Sequence, residues 1–229
     1  MDTSYSYQDS LHLLNESEWN KLSLQNKTAV MQSVENEVAR REGRPSCNVS
    51  LYSEPPQNGK LSAGWYNREN NSIGMNSYHL NGKVDACLNT ILHEGRHAYQ
   101  ERVVSGELPH HNQDELKSWR NNMKPGHYIS PEQNRRAYYR QPIEADAREY
   151  ASITTSQIQG EQKIQNRNKG IDIFAKRADA SRESSPSGNK GIQSFRDKIN
   201  RTEGGSASTL SNTKKPESVG QTNGNSQRR

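Results

Sequence analysis

Apolar residues are unevenly distributed along this chain, and their distribution limits which parts of it can form a packed core. Only 29% of the 229 residues are hydrophobic, and Leu and Val lie almost entirely before about residue 155. A segment poor in apolar residues cannot bury enough surface to offset the entropy lost on ordering. We therefore predict a flexible N-terminus over residues 1–14, one α+β domain over 15–158, and a mostly disordered tail over 159–229.

Charge divides along the chain in the same way. Residues 156–229 contain fourteen Lys and Arg against seven Asp and Glu, which leaves seventeen against nineteen in the remainder. The net charge of +5 therefore arises from the predicted tail and does not indicate a basic face on the domain. We expect no specific nucleic-acid partner, and we expect a monomer.

Cysteine content and the N-terminal residues bear on location. Cys47 and Cys87 are too few for a disulfide scaffold, and their spacing does not resemble a zinc knuckle, so we predict reduced core residues. The first ten residues have neither a basic start nor an apolar stretch, and no run approaches the roughly 18 apolar residues that cross a bilayer. We expect no membrane span, and a cytoplasmic protein or one exported without a cleavable signal peptide.

Hydrophobic periodicity and turn residues predict a small mixed sheet between helices. β-prone segments bounded by Gly, Pro and Asn predict strands over 48–53, 64–67 and 71–76. Spacings of three and four predict a helix that ends near Arg41, a helix over 84–104, and a helix that begins at Pro142 and extends towards Ile158. Between the last two helices we expect loop, with a short helix over 115–122.

The second of these helices contains the motif that carries chemistry. Residues 90–100 read TILHEGRHAYQ, which contains the pattern HExxH. His93 and His97 are one helical turn apart, so both imidazoles can reach one metal ion, while Glu94 faces the open coordination position. Zinc is the expected ion, with Glu94 as the general base that takes a proton from the attacking water. The alternative is a surface helix in which Glu94 and Arg96 form an ordinary charge cluster.

A catalytic zinc ion takes a third protein ligand. Gln100 and Val103 stand where the metzincin pattern needs Gly and His, so that class is excluded. Our candidate is Glu144, at the start of the third helix, although an acidic residue there could also simply complement the helix dipole. Glu149 is a reserve candidate. Three histidines in predicted loops remain open as alternatives: His110, His111 and His127.

Residues that would support the reaction are less well defined by the sequence. Asp146 is the candidate carboxylate for orienting a ligating imidazole. The strand nearest the motif helix could align an extended peptide, and we assign this role to residues 73–76. Three tyrosines could donate a hydroxyl to a developing oxyanion, or could simply pack beside the helix: Tyr99, Tyr138 and Tyr139.

These motifs resemble those of the gluzincins, in which an HExxH helix is followed by a helix that supplies Glu. The segments NSIGMN, LHEGRHAYQ and QPIEADAREYA are similar to bacterial metallopeptidase domains of polymorphic toxins and mobile elements, and more distantly to ImmA/IrrE-type peptidases. The resemblance covers about residues 15–155. Two features differ from the usual gluzincin pattern. Glu144 lies 47 positions after His97, and Arg148 stands where some members have a supporting Asp.

The resemblance implies a zincin-like fold in which His93, His97 and Glu144 bind zinc and Glu94 acts as the base. We therefore expect a zinc-dependent metallopeptidase that hydrolyses protein or peptide substrates through a metal-activated water. One alternative is a toxin or effector protease directed at a single protein target. Another is a catalytically inactive zincin-like binding module.

Overall fold

The computed structural model describes residues 4–183. The chain divides into two units, Met1–Ile173 and Phe174–Arg229, and the contacts discussed below lie in the first. The described residues form an α+β fold, as predicted. Its elements are α1 (Tyr7–Leu13), α2 (Glu16–Trp19), α3 (Leu24–Glu42), β1 (Asn48–Tyr52), β2 (Gly64–Asn67), β3 (Ser72–Asn76), α4 (Ser77–Leu80), α5 (Val84–Ser105), α6 (Gln113–Asn122), α7 (Pro131–Arg140) and α8 (Pro142–Glu183).

The three strands form a small mixed sheet in the order β1-β3-β2, which confirms the predicted sheet. β1 pairs with β3 in parallel, and β2 pairs with β3 antiparallel. β3 is therefore the central strand, and all five of its residues are buried. The prediction that residues 73–76 align a peptide is wrong, because the backbone groups of β3 are already paired on both sides. The edge strand that contacts α5 is β2.

α3 and α5 supply much of the core. Ser23 caps α3 by accepting a hydrogen bond from the Asn26 backbone N–H, and Gly43 ends the helix at φ 69°, a backbone conformation that glycine adopts without steric cost. The side chains of both helices pack with those of β3 in one cluster. Its fully buried members include Val30, Met31, Val34, Ile73, Met75, Leu88 and Ile91.

The N-terminal residues form part of the domain, so the predicted flexible segment 1–14 is wrong for residues 7–13. These residues form α1, and Ser6 caps the helix by accepting the backbone N–H of Asp9. Leu11 and Leu14 are 2% and 4% exposed within the main core cluster. Tyr7, Leu11 and Leu14 stand at helical spacings of four and three and pack in the core cluster, with α3 as a partner surface, so the sequence does contain the helix signal that a boundary at residue 15 overlooks.

The predicted boundary at residue 158 is also too early, because α8 continues to Glu183. Glu161 accepts hydrogen bonds from the Arg41 guanidinium at 2.8 and 3.0 Å and from the Tyr7 hydroxyl at 2.7 Å. Gln165 donates to the backbone carbonyl of Gln8 at 2.6 Å. These contacts are polar, so apolar content could not reveal them. Residues 184–229 of the predicted tail lie outside the described residues.

α7 lies where we expected loop. Its N-terminus has Ser130 and Gln133 in a reciprocal capping box and Pro131 in the first turn, both of which are sequence signals for a helix start. None of its residues is buried, which explains why an apolar pattern does not reveal it. Its backbone leaves helical geometry at Asn134, where φ is −160° and ψ is 101°.

Two further expectations concern the cysteines and the membrane. Cys47 and Cys87 are free and buried, as predicted. Within residues 4–183, no helix has both the length and the apolar character that a membrane crossing requires.

Candidate metal centre

Two histidines of α5 and a glutamate of α8 converge at one point. His93 and His97 lie one turn apart with their Nε2 atoms 3.1 Å from each other and their rings edge to face. Glu144 Oε2 is 3.3 Å from His93 Nε2, and Glu144 Oε1 is 3.6 Å from His97 Nε2. The three potential ligand atoms lie within 4.8 Å of one another, so this ligand cluster could hold a metal ion.

The hydrogen bonding of Glu144 is consistent with a metal ion. The residue is 2% exposed, and its Oε2 atom is buried without a hydrogen-bond partner, because the nearby His93 Nε2 is not in hydrogen-bonding geometry. Leaving a buried acceptor unsatisfied costs about 1–3 kcal/mol. A divalent cation between two imidazole nitrogens and this carboxylate would satisfy it, and the donor set suits zinc and several other transition metals.

The start of α8 places Glu144 at the ligand cluster. Gln141 is buried and exchanges hydrogen bonds with the backbone of Ile129, and it also accepts one from Asn122 at 3.0 Å. Ile143 packs in a second apolar cluster with Trp119 and other residues of α5 and α6. These contacts fix the first turn of α8, so the ligand position 47 residues from His97 depends on packing between distant segments.

The other candidates for the third ligand lie elsewhere. Glu149 is exposed on α8. His110 interacts with Glu115 at 3.0 Å and with the Tyr99 hydroxyl at 3.1 Å, and its ring packs on Trp119. The remaining two loop histidines, His111 and His127, are exposed. Among the described residues, only the two motif histidines and Glu144 form a group of this kind.

The ligand cluster borders a pocket of about 340 Å³. Trp65 and Tyr128, which are 38% and 43% exposed, lie at its wall, so the pocket opens to solvent. Its lining residues come from β2, α5, α7, α8 and the connecting loops. They are Gly64, Trp65, Tyr66, His93, Glu94, His97, Glu101, Met123, Tyr128, Tyr138, Ile143 and Glu144.

Glu94 lines this pocket beside β2. Burial and the negative charge of Glu144 raise the pKa of Glu94 to about 7, although His97 and the backbone of Tyr66 act in the opposite direction. The strand comes this close because residue 64 is glycine: a Cβ there would lie 2.8 Å from Thr90 Cγ2 and 2.9 Å from the Gly74 carbonyl oxygen. Glu94 is therefore a carboxyl group whose pKa is suited to proton transfer near neutral pH.

Glu144 has the opposite shift within the same pocket. Burial opposes its ionisation, but the neighbouring imidazoles of His93 and His97, together with Tyr138, lower its pKa to about 2. The two carboxyl groups thus differ in protonation behaviour because their immediate neighbours differ. Such separation of pKa values assigns different roles to paired carboxyl groups: Glu144 remains an anionic ligand, and Glu94 can exchange a proton.

Of the three tyrosines proposed from the sequence, only Tyr138 lines the pocket. Tyr99 contacts His110, and Tyr139 is 54% exposed. Tyr128, which the sequence analysis missed, donates its hydroxyl to Glu144 Oε1 at 3.1 Å. Nothing local in the sequence distinguishes Tyr128, because its position depends on how the loop before α7 packs against the start of α8.

The second nitrogen of His97 contacts Gln100, another residue that the sequence analysis did not assign to the site. His97 Nδ1 is 2.9 Å from Gln100 Oε1, and Gln100 Nε2 donates to Asp146 Oδ2 at 2.6 Å. The expectation that Asp146 orients a ligating imidazole is therefore corrected: the contact passes through Gln100. Asp146 cannot approach the imidazole directly because Gln100, three residues after His97 on the same helix, occupies this position.

Asp146 belongs to a buried charge network on another side of α5. Arg96 donates to Asp146 at 2.8 and 3.1 Å and lies between the rings of Tyr99 and Tyr150, 4.4 and 4.6 Å from their centroids. The network continues through ion pairs that link Arg96 to Glu42, Glu42 to Arg44, and Arg44 to Glu35. The alternative of a surface helix with an ordinary Glu94 and Arg96 charge cluster is therefore wrong.

Comparisons with known proteins add no family assignment. No protein-family model matches the chain, and no curated protein or solved structure matches it. The described residues nevertheless define an α+β protein with a His/His/Glu cluster, two members of it on one helix, that could bind a metal ion at a pocket.

Proposed function

We propose that this protein is a zinc-dependent metallopeptidase of gluzincin type. The observation that supports it most strongly is the convergence of His93, His97 and Glu144 at the wall of a pocket that Glu94 also lines. All three ligand residues line the pocket, so the open coordination position that a catalytic zinc ion requires would face it. The substrate would be a protein or peptide chain.

In this proposal each residue of the site has a separate chemical role. His93, His97 and Glu144 hold the ion. When bound, zinc supplies Lewis acidity, which lowers the pKa of water and polarises a carbonyl oxygen. Glu94, which lines the pocket beside the ligand cluster, accepts the proton of the attacking water and returns it to the departing amine. The hydroxyl of Tyr138, which lines the pocket, is a candidate donor for the oxygen that gains negative charge, whereas the hydroxyl of Tyr128 already donates to Glu144.

β2 is the candidate strand for substrate alignment. It pairs with β3 on one side only, and no other strand among the described residues occupies its outer edge. Three of its four residues line the pocket beside Glu94. An extended peptide could therefore add to this edge through backbone hydrogen bonds, with its scissile bond near the ligand cluster. This assignment replaces the one made from the sequence for residues 73–76.

Zinc content provides the first test. Wild-type protein should contain about one zinc ion per chain after reconstitution and removal of excess metal, as measured by elemental analysis. His93→Ala and His97→Ala should each lose most of it, because two ligands hold zinc far less well than three. His111→Ala, which changes an exposed histidine outside the cluster, is the matched control. Stoichiometric zinc in both ligand variants would contradict the proposed site.

The second test separates the base from the ligands. Glu94→Gln should keep the zinc ion and the fold, but cleavage of a randomised fluorogenic peptide pool should fall by roughly 10²- to 10⁴-fold. Glu149→Gln, which changes an exposed glutamate, should cleave like wild type. Wild-type protein that binds one zinc ion but cleaves nothing in the pool or in unfolded casein would contradict a peptidase of broad specificity, and would leave the single-target protease and the binding module as the alternatives.

A further inference from the structure

We infer that Gln100 is a positioning residue that holds His97 in the tautomer with a free Nε2 lone pair and links it to the turn of α8 that carries Glu144. The inference builds on the proposed metal site, but its central claim concerns only side chains of this protein. Gln100 is fully buried, so its amide group must find its hydrogen-bond partners within the protein.

The surroundings of Gln100 fix the orientation of its amide. Its Nε2 atom lies 2.9 Å from the carbonyl oxygen of Ile143 and 2.6 Å from Asp146 Oδ2. A backbone carbonyl can only accept a hydrogen bond, and the Asp146 carboxylate, which already accepts two from Arg96, is also an acceptor. The reversed amide would place its oxygen against these two acceptors. The NH₂ group of Gln100 must therefore face Ile143 and Asp146.

This orientation determines which nitrogen of His97 carries a proton. The amide oxygen of Gln100 lies 2.9 Å from His97 Nδ1 and can only accept, so Nδ1 must be the N–H donor. A neutral imidazole with a proton on Nδ1 has its lone pair on Nε2. In His97 this atom faces His93 Nε2 and Glu144 Oε1, at 3.1 and 3.6 Å. The imidazole is therefore held ready to act as a ligand through Nε2.

The same amide also connects two ligands that come from different helices. Its oxygen contacts His97 on α5, and its NH₂ group contacts the carbonyl of Ile143, the residue directly before Glu144 on α8. No other side chain type of this size has one acceptor and two donors in this arrangement. Glutamate could accept from His97 but could not donate to Ile143 or Asp146, and leucine could do neither.

The test uses Gln100→Leu and Gln100→Glu, with Gln141→Leu as the matched control. Gln141 is also a buried glutamine at the start of α8, but its side chain bonds with Asn122 and Ile129 and touches no imidazole. Loss of a group that supports a metal ligand typically weakens metal binding 10- to 100-fold. We expect such a loss of zinc affinity in both Gln100 variants, measured by chelator competition. Gln141→Leu disturbs the turn that carries Glu144 without touching His97, so it is the control for the His97 tautomer and not for zinc affinity.

Histidine tautomers provide a readout that is independent of metal and of activity. Long-range ¹H–¹⁵N spectra of the metal-free protein should show His97 protonated on Nδ1 in wild type and in Gln141→Leu, and a mixture of tautomers in Gln100→Leu. A wild-type His97 protonated on Nε2 would overturn the inference, as would a Gln100→Leu variant with unchanged tautomer and zinc affinity. If Gln100→Leu does not fold, two measurements still test the inference: the tautomer of His97 in wild type and the zinc affinity of Gln100→Glu.

The two proposals can fail separately. If wild-type protein binds no zinc but His97 shows the Nδ1–H tautomer and loses it in Gln100→Leu, the metallopeptidase proposal fails and the role of Gln100 remains. If zinc binds at one ion per chain and the Gln100 variants change neither its affinity nor the tautomer, the metal site remains and the role assigned to Gln100 is wrong.

Discussion

Two groups of charged and polar side chains border α5, and they differ in how their members are satisfied. The ligand cluster of His93, His97 and Glu144 leaves Glu144 Oε2 without a hydrogen bond and faces a pocket. The buried charge network, by contrast, pairs each charge with an opposite one. Its members are Glu35, Glu42, Arg44, Arg96 and Asp146.

This difference indicates that the ligand cluster is a binding site and that the buried charge network stabilises the fold. Charges that satisfy one another completely have no capacity left for a ligand, whereas a buried acceptor without a partner beside a pocket does. The two groups are joined through Gln100, which contacts His97 in one and Asp146 in the other. We therefore expect substitutions in the network to affect folding first, and substitutions in the ligand cluster to affect metal binding first.

The largest effect on stability should come from breaking the network. The side chains of Arg44 and Glu35 are 0% and 1% exposed and make two hydrogen bonds, at 2.6 and 2.9 Å. Arg44→Met leaves the buried Glu35 carboxylate with only the Cys47 N–H as a donor and no opposite charge, and loss of one partner of a buried ion pair typically costs about 3–5 kcal/mol. Urea unfolding should show this loss. Arg40→Met removes an arginine that is 71% exposed and pairs with Glu37, and it should leave the unfolding midpoint nearly unchanged. Equal effects of the two substitutions would contradict the structural role of the network.

Gly95→Ala should have an intermediate effect. A Cβ at residue 95 would lie 2.8 Å from Glu35 Oε2 and 2.9 Å from Arg44 Nη2, so it would displace the buried ion pair. We expect a loss of about 1–3 kcal/mol in the free energy of unfolding. Gly160→Ala on α8 is the matched control, because no atom lies within 4 Å of the added Cβ, and it should stabilise the protein by about 0.5–1 kcal/mol. A Gly95→Ala variant as stable as wild type would show that the network can move away from α5.

The smallest effect should appear in the pH dependence of the metal-free protein. Because burial raises the pKa of Glu94 from 4.5 to about 7, folding favours its protonated form. Its contribution to stability is complete below pH 4.5 and is lost as the pH rises through about 7. Wild type should therefore lose stability relative to Glu94→Gln over this interval, but only modestly, because water in the pocket can solvate the carboxylate. Urea unfolding at a series of pH values across this range measures the difference. If the free energies of unfolding of the two proteins changed in parallel with pH, the raised pKa of Glu94 would be contradicted.

Sequence reasoning was most successful where structure is local. The HExxH spacing and the apolar residues around it predicted α5, and turn residues placed all three strands within a residue of their observed bounds. It failed for α1, whose short apolar stripe was overlooked, and for α7, which buries none of its residues. It did not specify the order of the strands, because pairing partners depend on the whole sheet. The peptide-aligning role was therefore assigned to the central strand.

The same distinction between local and tertiary structure applies to the site. The sequence by itself determined that His93 and His97 share one face of a helix and that Glu94 lies beside them, because helical periodicity is a property of a few consecutive residues. It offered five candidates for a third ligand and favoured Glu144, but it could not establish which of them reaches the histidines. Only the tertiary structure brings Glu144 to the histidines, Tyr128 to Glu144 and Gln100 between His97 and Asp146. Except for the contact of Gln100 with its own helix, these distances depend on packing between distant segments, which no local pattern encodes.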